Sequence, residues 1–189
     1  VVSLSIFYER EQGMKGKERN AAQKAALYGM LIALAFIFSY VEAIIPMPLP
    51  VPGVKIGLAN LVNVVGLYTV GLAGTAAVGL VRIVLVGFTF GNTFSMVYGL
   101  SGGILSMAVM AGAKRCKWFG TTGISILGGV FHNVGQLLAA SYVTGTFGVF
   151  SYFPVLLAAG VAAGGVIGLL GGMVVERIKG YALTESRSR

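Results

Sequence analysis

Thr93-Phe-Ser-Met-Val-Tyr-Gly-Leu-Ser-Gly-Gly-Ile-Leu-Ser-Met-Ala-Val-Met-Ala-Gly-Ala113 carries no Asp, Glu, Lys, Arg or His, and it stops at Lys114-Arg-Cys-Lys117. A helix rising 1.5 Å per residue needs about 20 apolar residues to cross a hydrocarbon core of about 30 Å. This stretch meets that length and then meets three cations. The pattern is a membrane crossing with a basic exit, and it recurs along the chain. Ala25–Ile45 is a first run of this kind, Ile56–Val70 a shorter second, and Gly74–Phe90 a third with Arg82 near its middle. Thr93–Ala113 is the fourth, Thr121–Tyr142 the fifth and Tyr152–Val175 the sixth. Between the first and second lies Pro46-Met-Pro-Leu-Pro-Val-Pro-Gly53, which prolines keep from continuing a helix.

The expected fold is therefore all-α: a polytopic membrane protein built as a six-transmembrane-helix bundle. Residues 1–20 form an N-terminal cytoplasmic segment, 21–180 a single membrane domain and 181–189 a cytoplasmic tail. Basic residues set the orientation, because they are retained on the cytoplasmic side. Of the 14 Lys and Arg, all but Lys55 and Arg82 fall in the N-terminal segment, the fourth-to-fifth connection or the C-terminus. With six crossings those three segments share one side, so both termini are expected in the cytoplasm of a cell whose inner membrane holds the protein. A four-crossing version with two runs partly inserted is the alternative topology. No cleavable signal peptide is expected, since the first apolar run exceeds an h-region and leads into further spans. Val1–Gly13, ahead of Met14, differs in character from the rest of the chain.

Composition agrees. Hydrophobic residues make up 56% of 189 and charged residues 11%, against about a quarter charged in a soluble domain. The net charge of +8 does not imply nucleic-acid binding, because the cations sit at the ends of apolar runs rather than on one polar face. A lone cysteine, Cys116, excludes an intramolecular disulfide and a cysteine-cluster metal site. One His without Asp is a poor metal site, so neither metal nor cofactor is expected.

The 29 glycines lie largely inside the apolar runs. Lipid is as apolar as Leu, so membrane helices associate where small residues let backbones approach. Ala25, Gly29 and Ala33 form one such stripe on the first span. Gly160, Gly164, Gly168 and Gly172 form another on the last. Each could pack inside the bundle or dock a partner; for the last span, packing within the chain is the expected use.

Polar residues at membrane depth are costly unless paired or wet, about 2.5–3.5 kcal/mol for an ion on insertion scales. Arg82 needs a partner, and Glu42 is the one carboxylate near the extracytoplasmic half. The pair is read either as a buried structural ion pair or as part of a ligand site. His132 and Gln136 lie four apart, and Asn133 and Gln136 three apart, so their helical faces overlap. Asn60 and Asn63 share a face of the second span, and Asn92, Ser95 and Tyr98 repeat at three-residue spacing. Lys55 sits at the outer interface, where it either snorkels to headgroups or meets a ligand. A lone His on such a span would normally serve an interhelical hydrogen bond; the cluster shifts the reading towards a small-molecule site, with Tyr98 and Phe90 as apolar wall. Together these polar groups suit a ligand with an anionic group.

The series Pro52-Gly-Val-Lys-Ile-Gly-Leu-Ala-Asn60, Arg82, Ser101-Gly-Gly-Ile-Leu-Ser106 and His132-Asn-Val-Gly-Gln136 resembles the Gx transporter family, widely labelled heptaprenyl diphosphate synthase component I. The similarity covers roughly Asn20 to Lys179. Members resemble the S components of energy-coupling factor (ECF) transporters in architecture. That resemblance implies a six-helix protein holding a vitamin-like molecule near its extracytoplasmic face. It also implies a transmembrane coupling subunit docked on the Ala25, Gly29, Ala33 stripe, with two cytoplasmic ATPases supplying energy.

The enzymatic label fits the residues poorly. Prenyl diphosphate synthases hold Mg²⁺-diphosphate through Asp-rich motifs, since Mg²⁺ requires hard oxygen ligands. The chain contains no Asp, and its six Glu are scattered. It has no Gly-x4-Gly-Lys-Ser/Thr loop for ATP. The sequence thus points to a binding or transport subunit, with a membrane accessory role in isoprenoid synthesis as the alternative and a self-sufficient channel or carrier as a weaker third.

Overall fold

The structure, a computed structural model, describes residues 2–45 and 56–187, with side chains from 21–45 and 56–180. Six α-helices follow one another: α1 (Val2–Ile44), α2 (Leu58–Thr69), α3 (Gly71–Thr89), α4 (Thr93–Cys116), α5 (Thr121–Thr144) and α6 (Phe153–Arg187). A 3₁₀ turn, Phe147–Tyr152, joins α5 to α6. No strand occurs among the described residues. The protein is a multi-pass membrane helical bundle: parts of α1 and α6, and all of α3, α4 and α5, are long and apolar enough to cross a bilayer.

The second apolar run, expected to be the shortest at Ile56–Val70, forms α2, which has 12 residues and runs from the Glu42 end of the bundle to the Lys114 end. At 1.5 Å per residue that is about 18 Å, short of the hydrocarbon thickness. The helix breaks at Val70 because Gly71 takes φ 78°, in the left-handed region, and restarts the chain as α3. The proline-rich stretch Pro46–Gly53 and Lys55 lie outside the described residues.

The solvent for the outer surface is lipid. Phe88 is 81% exposed and Ile104 70% exposed, and Met30, Ile37 and Leu169 also face outwards. The interior is organised around the short α2. On one side Leu31 and Ala35 of α1 pack with Val62 of α2 and Val78 of α3. On the other, Val64 and Leu67 of α2 pack with Met110 and Ala113 of α4 and Ile124 of α5.

Glycine sets the closeness of α4, α5 and α6. A Cβ on Gly164 would lie 2.7 Å from Ile126 Cα, and one on Gly168 2.6 Å from Thr122 Cα, both backbone atoms of α5. Across the other face of α5, a Cβ on Gly135 would lie 2.7 Å from the Ser101 carbonyl of α4. Ser101 Oγ donates to the Gly135 carbonyl at 2.7 Å and locks that contact. The expected use of the last span's glycine stripe, packing within the chain, is what the structure displays at Gly160, Gly164 and Gly168.

Candidate functional site

The last turns of α1 and α3 and the first turns of α2 and α4 meet at one end of the bundle. Below them, α5 contributes Gly129 to Gln136 and α6 contributes Ala159 to Ile167. A cavity of about 330 Å³ lies between these segments, and all six helices line it. The opposite end of the bundle carries Lys24, Lys114, Arg115, Lys117, Arg177 and Lys179.

Eight of the ten residues singled out from sequence line the cavity: Asn60, Asn63, Arg82, Asn92, Ser95, His132, Asn133 and Gln136. Glu42 lines it too. Tyr98 does not; α4 meets the cavity through Ser95 and Gly99, four apart, and Tyr98 falls off that face. Lys55 lies outside the described residues. Ala25, Gly29 and Ala33 lie on α1 away from the cavity, all three exposed.

Arg82 is the central charge. Its Nη1 donates to Ser39 Oγ at 3.4 Å, and Ser39 Oγ in turn donates to the Ala35 carbonyl at 2.9 Å. Its Nε is buried and has no hydrogen-bond partner among the described residues. Glu42, the partner suggested by sequence, acts on Arg82 through space. Its Oε1 instead accepts the Leu58 N–H at 2.7 Å. Leu58 is the first residue of α2, where backbone N–H groups lack intrahelical acceptors and the helix dipole favours a negative charge. Glu42 therefore closes the N-terminus of α2 from the neighbouring helix, a role that Gly57 at the cap cannot fill because it has no side chain.

The amides divide into those held by the fold and those with capacity left. Asn92 and Ser95 form a capping box for α4: Ser95 N–H donates to Asn92 Oδ1 at 2.8 Å, and Asn92 N–H donates to Ser95 Oγ at 2.9 Å. Asn133 Nδ2 donates to the Leu156 carbonyl at 2.7 Å and ties α5 to the first turn of α6. Asn63 Nδ2 donates to Asn60 Oδ1 at 3.4 Å, while Asn63 Oδ1 is buried without a partner. Among the described residues, the cavity thus holds an unmatched buried donor on Arg82 and an unmatched buried acceptor on Asn63.

The His132 ring is placed by glycine. A Cβ on Gly102 would lie 2.9 Å from His132 Nδ1 and 2.7 Å from the His132 carbonyl, so α4 admits the ring only where it has no side chain. The apolar wall includes Phe90, held by Phe36 and Tyr40 of α1 with centroids 5.6 Å away in each case. Sequence reasoning missed Ser39. Its position three residues before Glu42 on one helical face was the available signal. It missed also that Gly99, Gly129, Gly160 and Gly164 expose backbone to the cavity, which no residue pattern announces.

A family model for heptaprenyl diphosphate synthase component I matches residues 31–174. The chain belongs to that family. The match begins in the membrane part of α1, ends in α6 and contains every residue that lines the cavity. The family is thus named as one component of a synthase. No curated protein and no solved structure matches the chain.

Proposed function

We propose that the protein is the substrate-binding membrane subunit of an ECF-type uptake transporter, capturing a small polar molecule at the extracytoplasmic end of the bundle. One observation carries this reading: polar side chains from several helices meet on one cavity that all six helices line, with Arg82 Nε buried there and unmatched among the described residues. Buried polar groups without partners are costly, and a guest that supplies an acceptor to Arg82 and a donor to Asn63 removes both penalties. The volume lies at the lower end of the range for small-molecule sites, about 300–1,000 Å³. Arg82 selects an anionic group, and Phe90 with the glycine-lined wall of α6 accepts the apolar part.

The basic residues at the far end support an inner-membrane placement with that end in the cytoplasm, so that the cavity opens outwards. The exposed Ala25, Gly29 and Ala33 face of α1 suits a transmembrane coupling subunit, with two ATPases beneath it. The chain itself is then a binding subunit and not an enzyme.

Native mass spectrometry of the full chain in mild detergent tests the site. The parent is expected to retain a small molecule, and Arg82→Ala and His132→Ala to lose it while staying monodisperse. Retention at parental occupancy in both variants rejects the assignment. The family description favours a second reading, a membrane accessory subunit for a prenyl diphosphate synthase. Co-purification separates the two: a coupling subunit with ATPases supports transport, and a soluble prenyl synthase supports the accessory role.

A further inference from the structure

At the end of the bundle opposite the cavity, two lysines from different helices converge on one aromatic ring. Lys114 Nζ of α4 lies 4.4 Å from the centroid of Tyr68, and Lys179 Nζ of α6 lies 5.3 Å from the same centroid. Tyr68 is near the C-terminus of α2, and the packed cluster of Val64, Leu67, Met110, Ala113 and Ile124 fixes its place. Lys114 also donates to the Leu67 carbonyl, one of the last carbonyls of α2. Cation–π attraction and the negative end of a helix account for Lys114 being there. They do not account for Lys179, which is exposed, makes no hydrogen bond to that helix end, and repels Lys114. Glu176, three residues before Lys179 on α6, is exposed, and among the described residues no carboxylate lies within ion-pair distance of either lysine.

Two like charges gathered by the fold, without a counter-charge among the described residues, form a receptor for an anion. The depth identifies its chemistry. This end of the spans meets the headgroup layer: Trp118, in the adjoining α4–α5 connection, is 90% exposed, and Phe119 beside it is exposed as well. Exposed aromatics of this kind sit at the membrane–water boundary. An anion at that level, between helix ends and beside lipid, is a phosphate ester of the surrounding bilayer.

We propose that Lys114 and Lys179 bind the phosphate of an anionic phospholipid of the cytoplasmic leaflet, with Tyr68 as the floor of the site. The bound lipid would tie together the ends of α2, α4 and α6. This site does not depend on what the cavity holds.

The test uses the full chain, delipidated in detergent and titrated with phosphatidylglycerol or phosphatidylcholine of identical chains, read by native mass spectrometry. The parent is expected to prefer phosphatidylglycerol. Each lysine near a membrane surface contributes about fivefold, so Lys179→Gln should lower that preference about fivefold and the double variant with Lys114→Gln about thirtyfold. Lys179→Gln removes no hydrogen bond made among the described residues, so its result stands even if loss of Lys114 disturbs α2. Arg115→Gln with Lys117→Gln removes two charges at the same end but away from the ring, and should change the preference less than Lys179→Gln alone does, because a single bound headgroup meets only the cations around Tyr68. An equal loss in that control, or an unchanged preference in Lys179→Gln, overturns the site. Inorganic phosphate at a few millimolar should not displace the lipid; if it does, the occupant is a soluble phosphate and the lipid assignment fails.

Discussion

Two helices of this bundle carry the same small-residue spacing and use it in opposite ways. On α6, Gly160, Gly164 and Gly168 are pressed against α5, where even a methyl group would meet backbone. On α1, Ala25, Gly29 and Ala33 face outwards, and a Cβ on Gly29 would find nothing within 4 Å. A four-residue repeat of small side chains makes a groove on any membrane helix. Whether the groove is filled from within the chain or left for a neighbour is decided by which helix the loops bring alongside. The short α5–α6 connection, through Phe147–Tyr152, places α5 directly on the α6 stripe. Helix α1 instead turns its Leu31, Ala35 and Ser39 face to the interior. That leaves its small-residue face without cover from the described residues of this chain.

The largest expected effect comes from filling the α6 groove. Gly164→Leu drives a branched side chain into Ile126 Cα and the Ser125 carbonyl, neither of which can rotate away. Overpacking in a well-packed core typically costs about 1–3 kcal/mol and sometimes more, and here α5 and α6 must separate to accept it. The cavity, whose wall includes Gly129, Gly160 and Gly164, would be lost with the seam. Size-exclusion chromatography in detergent should show aggregated or poorly folded protein. A monodisperse Gly164→Leu variant with the parent's melting temperature would mean that the α5–α6 seam is not as close as described.

A graded pair sharpens the same point. A Cβ at Gly168 would lie 2.6 Å from Thr122 Cα, whereas one at Gly172 would lie 3.8 Å from Thr121 Cβ, an ordinary contact. Gly168→Ala is therefore expected to lower stability by about 1–3 kcal/mol. Gly172→Ala should be neutral or stabilising, since Ala favours helix over Gly by up to about 1 kcal/mol. Thermal unfolding of both variants in one detergent checks the order. If the two alanines behave alike, the groove closes evenly along its length and the helices do not diverge below Gly168.

The same contrast between stripes shows how far a sequence reads. Apolar run length gave the number of helices and, for five of them, their ability to cross a bilayer. It also placed the break between the second and third runs just after Val70, where Gly71 takes a left-handed backbone, a conformation that run length alone does not reveal. Helical spacing placed His132, Asn133 and Gln136 on overlapping faces, and the structure turns those faces to the cavity with Asn60, Asn63 and Arg82. Spacing could not say which hydrogen bonds were already made. Asn92 and Ser95 are engaged in capping α4, and Asn133 in holding α6, whereas Arg82 meets Ser39 and Glu42 meets the end of α2. Pairings between helices depend on the approach and rotation of both partners. A one-dimensional pattern constrains each helix separately and leaves that relation open.

The smallest expected effect on the fold is the one that separates the two stripes most clearly. Gly29→Leu adds a large side chain to a helix face with nothing within 4 Å of the new Cβ. In lipid the added leucine is solvated as well as the residues around it, and helix propensity favours Leu over Gly. Stability in detergent should stay within about 0.5 kcal/mol of the parent or rise, as for surface substitutions generally. Ligand retention should be unchanged, since α1 reaches the cavity through Ser39, Glu42 and Ala43, more than two turns further along. What should be lost is association with a membrane partner, because the groove that admits a second backbone is filled. Co-purification from the native membrane is then the decisive measurement. A stable Gly29→Leu protein that keeps its ligand and drops its membrane partner supports a docking face on α1. Undiminished co-purification shows that the partner binds elsewhere, and a Gly29→Leu protein as damaged as Gly164→Leu shows that both stripes serve the bundle itself.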